Sequence, residues 1–397
     1  MLNGALLQSV GTSYGLSMIF KGTLLALMYS SLWQRRQAQA WYLSLLGALM
    51  LLGPLLSFSQ TGQLFWLAEL QLVSKILALL LAFYYLKPLA LQTPKACGQL
   101  LQRVMLISFL VVLVNVLLGL LGFGYTAYQP MEAVQQRFLG YKGFFYSTNE
   151  LSALWLVLSC WALLYCWPRN KVAYLLTGLI SLSCAALMLT KTGVLGCLVL
   201  VLLLPLLLQN GRWWQQRRAL LGPLLLLSVM LCLLLLWQGP ALLQWAGLWD
   251  KWQYAYQQRG LAGILLSSRD LYLSRSLQTL ISEYPVWQLL FGVGISGMQL
   301  YLKKYFVELD LFDLWIFYGL AGVLVFVWSF TLLFWHNWQS RQRSQAAAII
   351  LLNLLLLMVC LLAGHVLTSG MLWLPWALLN ISLLLPGGVG GTDERSA

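Results

Sequence analysis

The sequence predicts an all-α polytopic membrane protein with about eleven transmembrane helices and one large extracytoplasmic loop containing amphipathic helices. Three observations predict it. Of 397 residues, 60% are hydrophobic and only 9% charged; the apolar residues come in long uninterrupted blocks; and charge is sorted by sign between alternate loops. A soluble domain carries about a quarter charged residues, so this chain lacks the polar surface to stay in water. Blocks of about 20 residues, rising about 1.5 Å each, match a hydrocarbon core about 30 Å thick.

The blocks read as helices at 11–33, 41–58, 64–86, 102–123, 149–168, 172–190, 193–209, 218–238, 312–335, 346–364 and 367–386, with ten to twelve spans compatible with the pattern. The loops after the first, third, fifth, seventh and ninth blocks hold Arg35, Arg36, Lys87, Lys95, Arg103, Arg169, Lys171, Arg212, Arg217, Arg218, Arg341 and Arg343, twelve cations and no acid. Such bias places those loops in the cytoplasm. The Gly-rich segment 387–397 then forms a disordered cytoplasmic tail, and the whole chain, 1–397, one integral membrane domain.

The opposite side receives 124–148 and the large loop 239–311. Apart from Glu69 and the tail pair Asp393 and Glu394, the acids fall there: Glu132, Glu150, Asp250, Asp270, Glu283, Glu308, Asp310 and Asp313. Cations accompany them, among them Arg137, Lys142, Lys191, Lys251, Arg259, Arg269, Arg275, Lys303 and Lys304. Within the loop, Leu273, Leu277, Leu280 and Tyr284 recur at helical spacing, so 268–284 reads as an amphipathic helix, with Ser267 and Asp270 as a capping box and Arg275 facing away from the apolar stripe.

Several function classes drop out. The net charge of +13 lies in short loops, with no basic stripe or tail to track phosphates, so nucleic-acid binding is excluded. The seven cysteines fall in apolar blocks or on the cytoplasmic side, which argues against a disulfide framework, and no Cys/His cluster suggests zinc. No basic region precedes the first apolar stretch, so no cleaved signal peptide is expected. Gly292, Gly294 and Gly297 spell GxGxxG, but outside the βαβ context that dinucleotide binding needs; close approach to a ligand or a neighbouring helix is the better reading.

The remaining polar motifs lie on the extracytoplasmic face. Asn149 and Glu150 open a helix after a stretch carrying Arg137 and Lys142, and fit either a cap or a polar patch beside substrate. Ser267 to Arg275 combines a helix N-terminus with Arg269, suited to phosphate. Glu308, Asp310 and Asp313 precede a long helix, where crowded carboxylates can yield a general base or simply cap. His365 sits at the external edge between the last two helices as a possible proton acceptor, whereas His336 reads as an interfacial residue. Lys21, Glu69 and Lys75 lie inside apolar blocks, where ions pair or line a cavity; Lys21 with Glu69 is the expected pair.

Taken together, 137–370 resembles the O-antigen polymerase and O-antigen ligase superfamily of bacterial envelope enzymes. The resemblance rests on Gly140-Tyr-Lys-Gly-Phe-Phe-Tyr-Ser-Thr-Asn-Glu150, Leu189-Thr-Lys-Thr-Gly193, Ser268-Arg-Asp270, Leu290-Phe-Gly-Val-Gly294, Glu308-Leu-Asp310 with Asp313-Leu-Trp-Ile-Phe-Tyr-Gly319, and Gly364-His365, in that order around one large loop. It implies a GT-C-like helical fold in the bacterial inner membrane, a periplasmic active site, and a glycan donor linked to undecaprenyl diphosphate. It also implies a polymerase transferring glycan onto a sugar hydroxyl of a lipid-linked repeat unit, working beside membrane lipid and a chain-length regulator protein. Arg269, His365, Glu308, Asp310 and Asp313 are the expected catalytic residues. Arg137, Lys142, Asn149, Glu150, Lys191, Arg275, Gly292 and Gly294 are the expected substrate-binding residues. No cofactor is expected, and with no carboxylate cage for Mg²⁺ the reaction is expected to be metal-independent. Ligases of this superfamily usually carry a His near the start of the helix after the large loop; this chain has Glu308, Asp310 and Asp313 there, which favours the polymerase. A lipid-linked glycan transporter is the alternative of another class, disfavoured by charges gathered at one face and by the lack of a visible repeat.

Overall fold

In a computed structural model of the chain, residues 15–128, 139–209, 241, 244 and 249–390 are described. Four helices open it: α1 (Leu16–Gln34), α2 (Ala38–Thr61), α3 (Trp66–Gln92) and α4 (Pro94–Leu120). A short antiparallel pair follows, β1 (Tyr125–Thr126) with β2 (Tyr141–Gly143). Next come α5 (Thr148–Cys166), α6 (Lys171–Leu187) and α7 (Lys191–Leu207), then α8 (Trp249–Leu266), α9 (Arg269–Glu283) and α10 (Gly294–Tyr301). The chain closes with α11 (Asp310–Gln339), α12 (Ala346–Leu362) and α13 (Trp373–Ile381).

Among the described residues, six helices (α1 to α5 and α11) are long and apolar enough to cross a membrane. α6, α7, α12 and α13 with its 3-10 extension to Leu384 are shorter apolar helices. Ten of the eleven expected blocks therefore coincide with an apolar helix, while 218–238 lies outside the described residues, as do Arg137 and 391–397. Burial grades them. On α5 every residue from Leu151 to Leu164 is buried, the signature of a helix enclosed on all sides. On α1 only Met28 and Leu32 are, and Ile19, Phe20 and Leu27 stand exposed.

The helices alternate in direction, so the two ends of the bundle differ. Short turns join α1 to α2, α3 to α4, α5 to α6 and α11 to α12 at one end, which carries Arg35, Arg36, Lys95, Arg169, Lys171, Arg341 and Arg343 and, among the described residues, no acid. Glu69, Glu150, Asp270, Glu308, Asp310 and Asp313 belong to the other end, with the starts of α3, α5, α7, α9 and α11.

The described part of 239–311 is packed structure rather than a free loop. α10 lies against α2 and α3, and the stretch before it wedges into α11. There α11 breaks at Gly319 (φ 56, ψ −141): the Val293 amide donates to the Ile316 carbonyl at 3.0 Å, and the Leu320 amide donates to the Leu290 carbonyl at 2.8 Å. A Cβ on Gly319 would fall 2.1 Å from the Leu290 oxygen, so only glycine lets the two backbones meet.

Five expectations are corrected. The amphipathic helix forms over Arg269–Glu283, but its N-cap is Ser268 in the left-handed region (φ 69) with no side-chain cap, and Asp270 pairs with Arg259 instead of closing a capping box with Ser267. The last helix begins at Trp373 rather than 367, because Asp310 holds 365–367 in a loop. The tail is ordered as far as Gly390: the Val389 amide donates to Gln345 Oε1, and Val389 is fully buried. His336 is not interfacial but 3% exposed, donating from Nε2 to the Asn380 carbonyl. Lys21 and Glu69 do not pair. Glu69 accepts the Ser296 amide and hydroxyl, both at 2.8 Å, and the Tyr318 hydroxyl at 3.1 Å, so it caps α10.

Candidate active site

The acidic end converges on the start of α11. Arg269, in the first turn of α9, donates from Nη2 to Glu308 Oε2 at 3.1 Å, and Lys304 Nζ lies 3.0 Å from Glu308 Oε1. The Arg269 and Glu308 side chains are 11% and 25% exposed, dry enough for the pair to be worth more than a surface contact. Burial pushes the Glu308 carboxyl up, but the hydrogen bond and charge of Lys304 and the charges of Arg269 and His365 outweigh it and hold the carboxyl below the usual carboxylate range. Glu308 is therefore ionised at neutral pH.

Asp310 and Asp313 are fully buried, and their oxygens are occupied. Asp310 accepts the backbone amides of His365 (2.6 Å), Val366 (2.8 Å) and Leu367 (2.9 Å). Asp313 accepts those of Val307 (2.7 Å) and Glu308 (3.0 Å). Through these bonds Asp310 holds the His365 loop and Asp313 holds the turn that carries Glu308. His365 and Glu308 are the less buried members of the expected catalytic set.

His365 stands at φ 61 and Glu308 at φ 66, and Gly364 packs so closely that a Cβ would fall 2.4 Å from the Glu308 carbonyl carbon. His365 Nδ1 lies 3.4 Å from Thr368 Oγ1 and its ring 5.7 Å from the Phe306 ring, leaving Nε2 without a hydrogen-bond partner among the described residues. Of six non-glycine residues with positive φ, four flank this cluster: Ser267, Ser268, Glu308 and His365. Each costs of order 1–3 kcal/mol, and such strain gathers at functional sites.

The other expected residues divide. Asn149 donates to the Ala363 carbonyl at 3.3 Å, and Glu150 Oε2 accepts the Ser369 hydroxyl at 2.8 Å, so both tether the His365 loop while Ser147 caps α5. Lys191 bridges to the α8–α9 corner through the Ile264 carbonyl and the Ser267 hydroxyl. Lys142 lies over the Tyr125 ring on the β pair, and Arg275 is exposed on another face of α9; neither joins the Arg269 cluster. Gly292 and Gly294 lie at the close approach to neighbouring helices that the sequence also allowed: a Cβ would strike the Phe317 carbonyl at 2.4 Å and Glu69 Oε1 at 2.5 Å respectively.

Two members of the cluster were not foreseen as site residues. Lys304 was visible only as one cation among several. Tyr128 is the other: burial pushes its hydroxyl up, the Arg269 charge opposes this and the Glu308 charge adds to it, which sets the phenol beside the ion pair. Among the described residues, no three His, Cys, Asp or Glu side chains converge to hold a metal ion. No family model, no curated protein and no solved structure matches the chain.

Proposed function

We propose that the chain is a bacterial inner-membrane glycosyltransferase of the O-antigen polymerase kind, working on the periplasmic side. Supporting the topology are the ten apolar helices among the described residues and the sorting of bare cations to one end of them, the bias expected of a cytoplasmic face. The observation that carries the chemistry is a single ion-pair cluster, Arg269, Glu308 and Lys304, held beside a His365 Nε2 that has no hydrogen-bond partner among the described residues and stands on a strained loop. In the proposed reaction, an acceptor sugar hydroxyl attacks the anomeric carbon of the donor glycan. The bond to undecaprenyl diphosphate breaks, its electron pair leaving with the diphosphate, and His365 Nε2 takes the hydroxyl proton. Ionised Glu308 favours the imidazolium that forms, and the cations of this end offset the charge growing on the diphosphate. The reaction needs no metal, and a chain-length regulator is the proposed protein partner.

A ligase is the second reading, favoured by one contact. The His365 amide bonds Asp310, so a histidine does stand at the start of the helix after the large loop, although it comes from a later hairpin.

Purified protein given lipid-linked repeat units tests the proposal. Chain growth on undecaprenol supports the polymerase, and transfer to lipid A core the ligase. No transfer to either, with folded protein, sinks both and leaves transport. His365→Ala is expected to slow transfer by about 100-fold or more without loss of fold, Arg269→Ala to abolish it, and EDTA to leave it unchanged.

A further inference from the structure

Beneath the His365 loop lies a second set of charges, apart from the Arg269–Glu308–Lys304 cluster. A Cβ placed on Gly370 would lie 3.5 Å from both Lys21 Nζ on α1 and Lys75 Cε on α3, so the two lysine side chains end against one backbone point. Neither forms an ion pair among the described residues. The charge of Glu150 reaches Lys21, but so does that of Lys75, and Glu150 is the one acid acting there, already accepting the Ser369 hydroxyl. Lys21 thus feels one carboxylate and one further lysine within a bundle of apolar helices, where ions persist when they pair or face a polar ligand. α13 starts three residues beyond Gly370 with no side-chain cap, and its first-turn amides add further positive potential. One turn before Lys21 on the same face of α1 stands Met18, 38% exposed, and Ile19 and Phe20 continue that exposed apolar surface around the helix. An apolar stretch of α1 thus leads up to the two lysines.

We propose that the Lys21–Lys75 niche seats the phosphate or diphosphate headgroup of a lipid whose chain lies along α1. The assignment rests on the function proposed above, for which it names the donor's diphosphate seat. Arg269 is already engaged by Glu308 and the Leu266 carbonyl, and is left to serve the acceptor side.

Equilibrium binding to the purified full-length chain in detergent tests this without turnover, with farnesyl diphosphate, farnesol and inorganic pyrophosphate as probes. Farnesyl diphosphate is expected to bind at least about tenfold more tightly than either of the others. The K21Q/K75Q variant is expected to lose about tenfold or more in that affinity, and K21R/K75R to keep it, because the guanidinium retains the charge. Without ligand, K21Q/K75Q should unfold close to the wild-type temperature, since it removes the Lys21–Lys75 repulsion together with the Lys21–Glu150 attraction; that result shows that lost binding is not lost folding. Equal affinity in wild type and K21Q/K75Q would overturn the niche, as would farnesol binding as well as the diphosphate. Pyrophosphate binding as tightly as farnesyl diphosphate would assign the site to a free anion and overturn the lipid. If lysine-dependent binding holds while no glycan is transferred, the niche stands and the enzymatic reading falls. If glycan grows at the wild-type rate in K21Q/K75Q, the reverse is true.

Discussion

The two ends of the helix bundle solve the problem of buried polarity in opposite ways. At the cation-only end, His336, Asn337, Asn353, Asn380 and Trp376 form a neutral network: Asn380 Oδ1 accepts from Asn337 at 3.0 Å and Asn353 at 2.8 Å, and Trp376 Nε1 donates to Asn353 Oδ1 at 2.7 Å. It fixes α11, α12 and α13 against one another and carries no net charge. At the other end, the buried groups are carboxylates and an arginine, their partners are backbone amides or other charged side chains, and the backbone itself is strained. Neutral amides lock helices together at small cost in field; carboxylates on backbone amides hold loops in conformations that the loops would not adopt alone. One end is built for packing and the other for placing charge.

The largest test of that contrast is Asp310→Ala. Three buried amides would lose their acceptor, costing about 3 kcal/mol or more, and the His365 loop would relax, so both the unfolding temperature in detergent and transfer activity should fall. Unchanged activity would mean that the loop holds its shape without Asp310. Asn380→Ala, at the neutral end, should cost less, about 1–2 kcal/mol, and should leave the transfer rate per folded molecule intact; a selective loss of rate would break the division between the ends. Glu308→Gln gives the smallest effect and the sharpest signature. Because folding lowers the Glu308 pKa, its ionised form contributes stability that is fully present above the unfolded value of about 4.3 and is lost as pH falls through the lower folded value. Unfolding measured against pH should therefore show the wild type losing stability relative to Glu308→Gln only in that acidic window. Parallel curves would mean that Glu308 gains nothing from Arg269 and Lys304.

The helices were legible because an apolar block near the length of a bilayer span has few other folds open to it, and the sorting of acids from bare cations was legible because each loop is short. Contacts across the chain were not. Arg269 meets Glu308 across 39 residues, and Asp310 reaches the 365–367 amides across more than 50; no local spacing encodes either. Asp310 and Asp313, three apart at a helix start, had the pattern of a coupled acid pair, and only the amides arriving from elsewhere turn them into anchors. The glycines near 292–297 announced a close approach, but not the partners: the backbone of α11 for Gly292, and Glu69 for Gly294.

The contact with α11 has a mechanical consequence. Above Gly319, residues 310–318 form a stub about 13 Å long bonded to Val293 through the Ile316 carbonyl, while Leu320, beyond the break, bonds to Leu290. The wedge therefore splints the break from both sides. Asp310 and Asp313 sit at the tip of the stub, so the placing of the His365 loop depends on a joint that a side chain at Gly319 would force open.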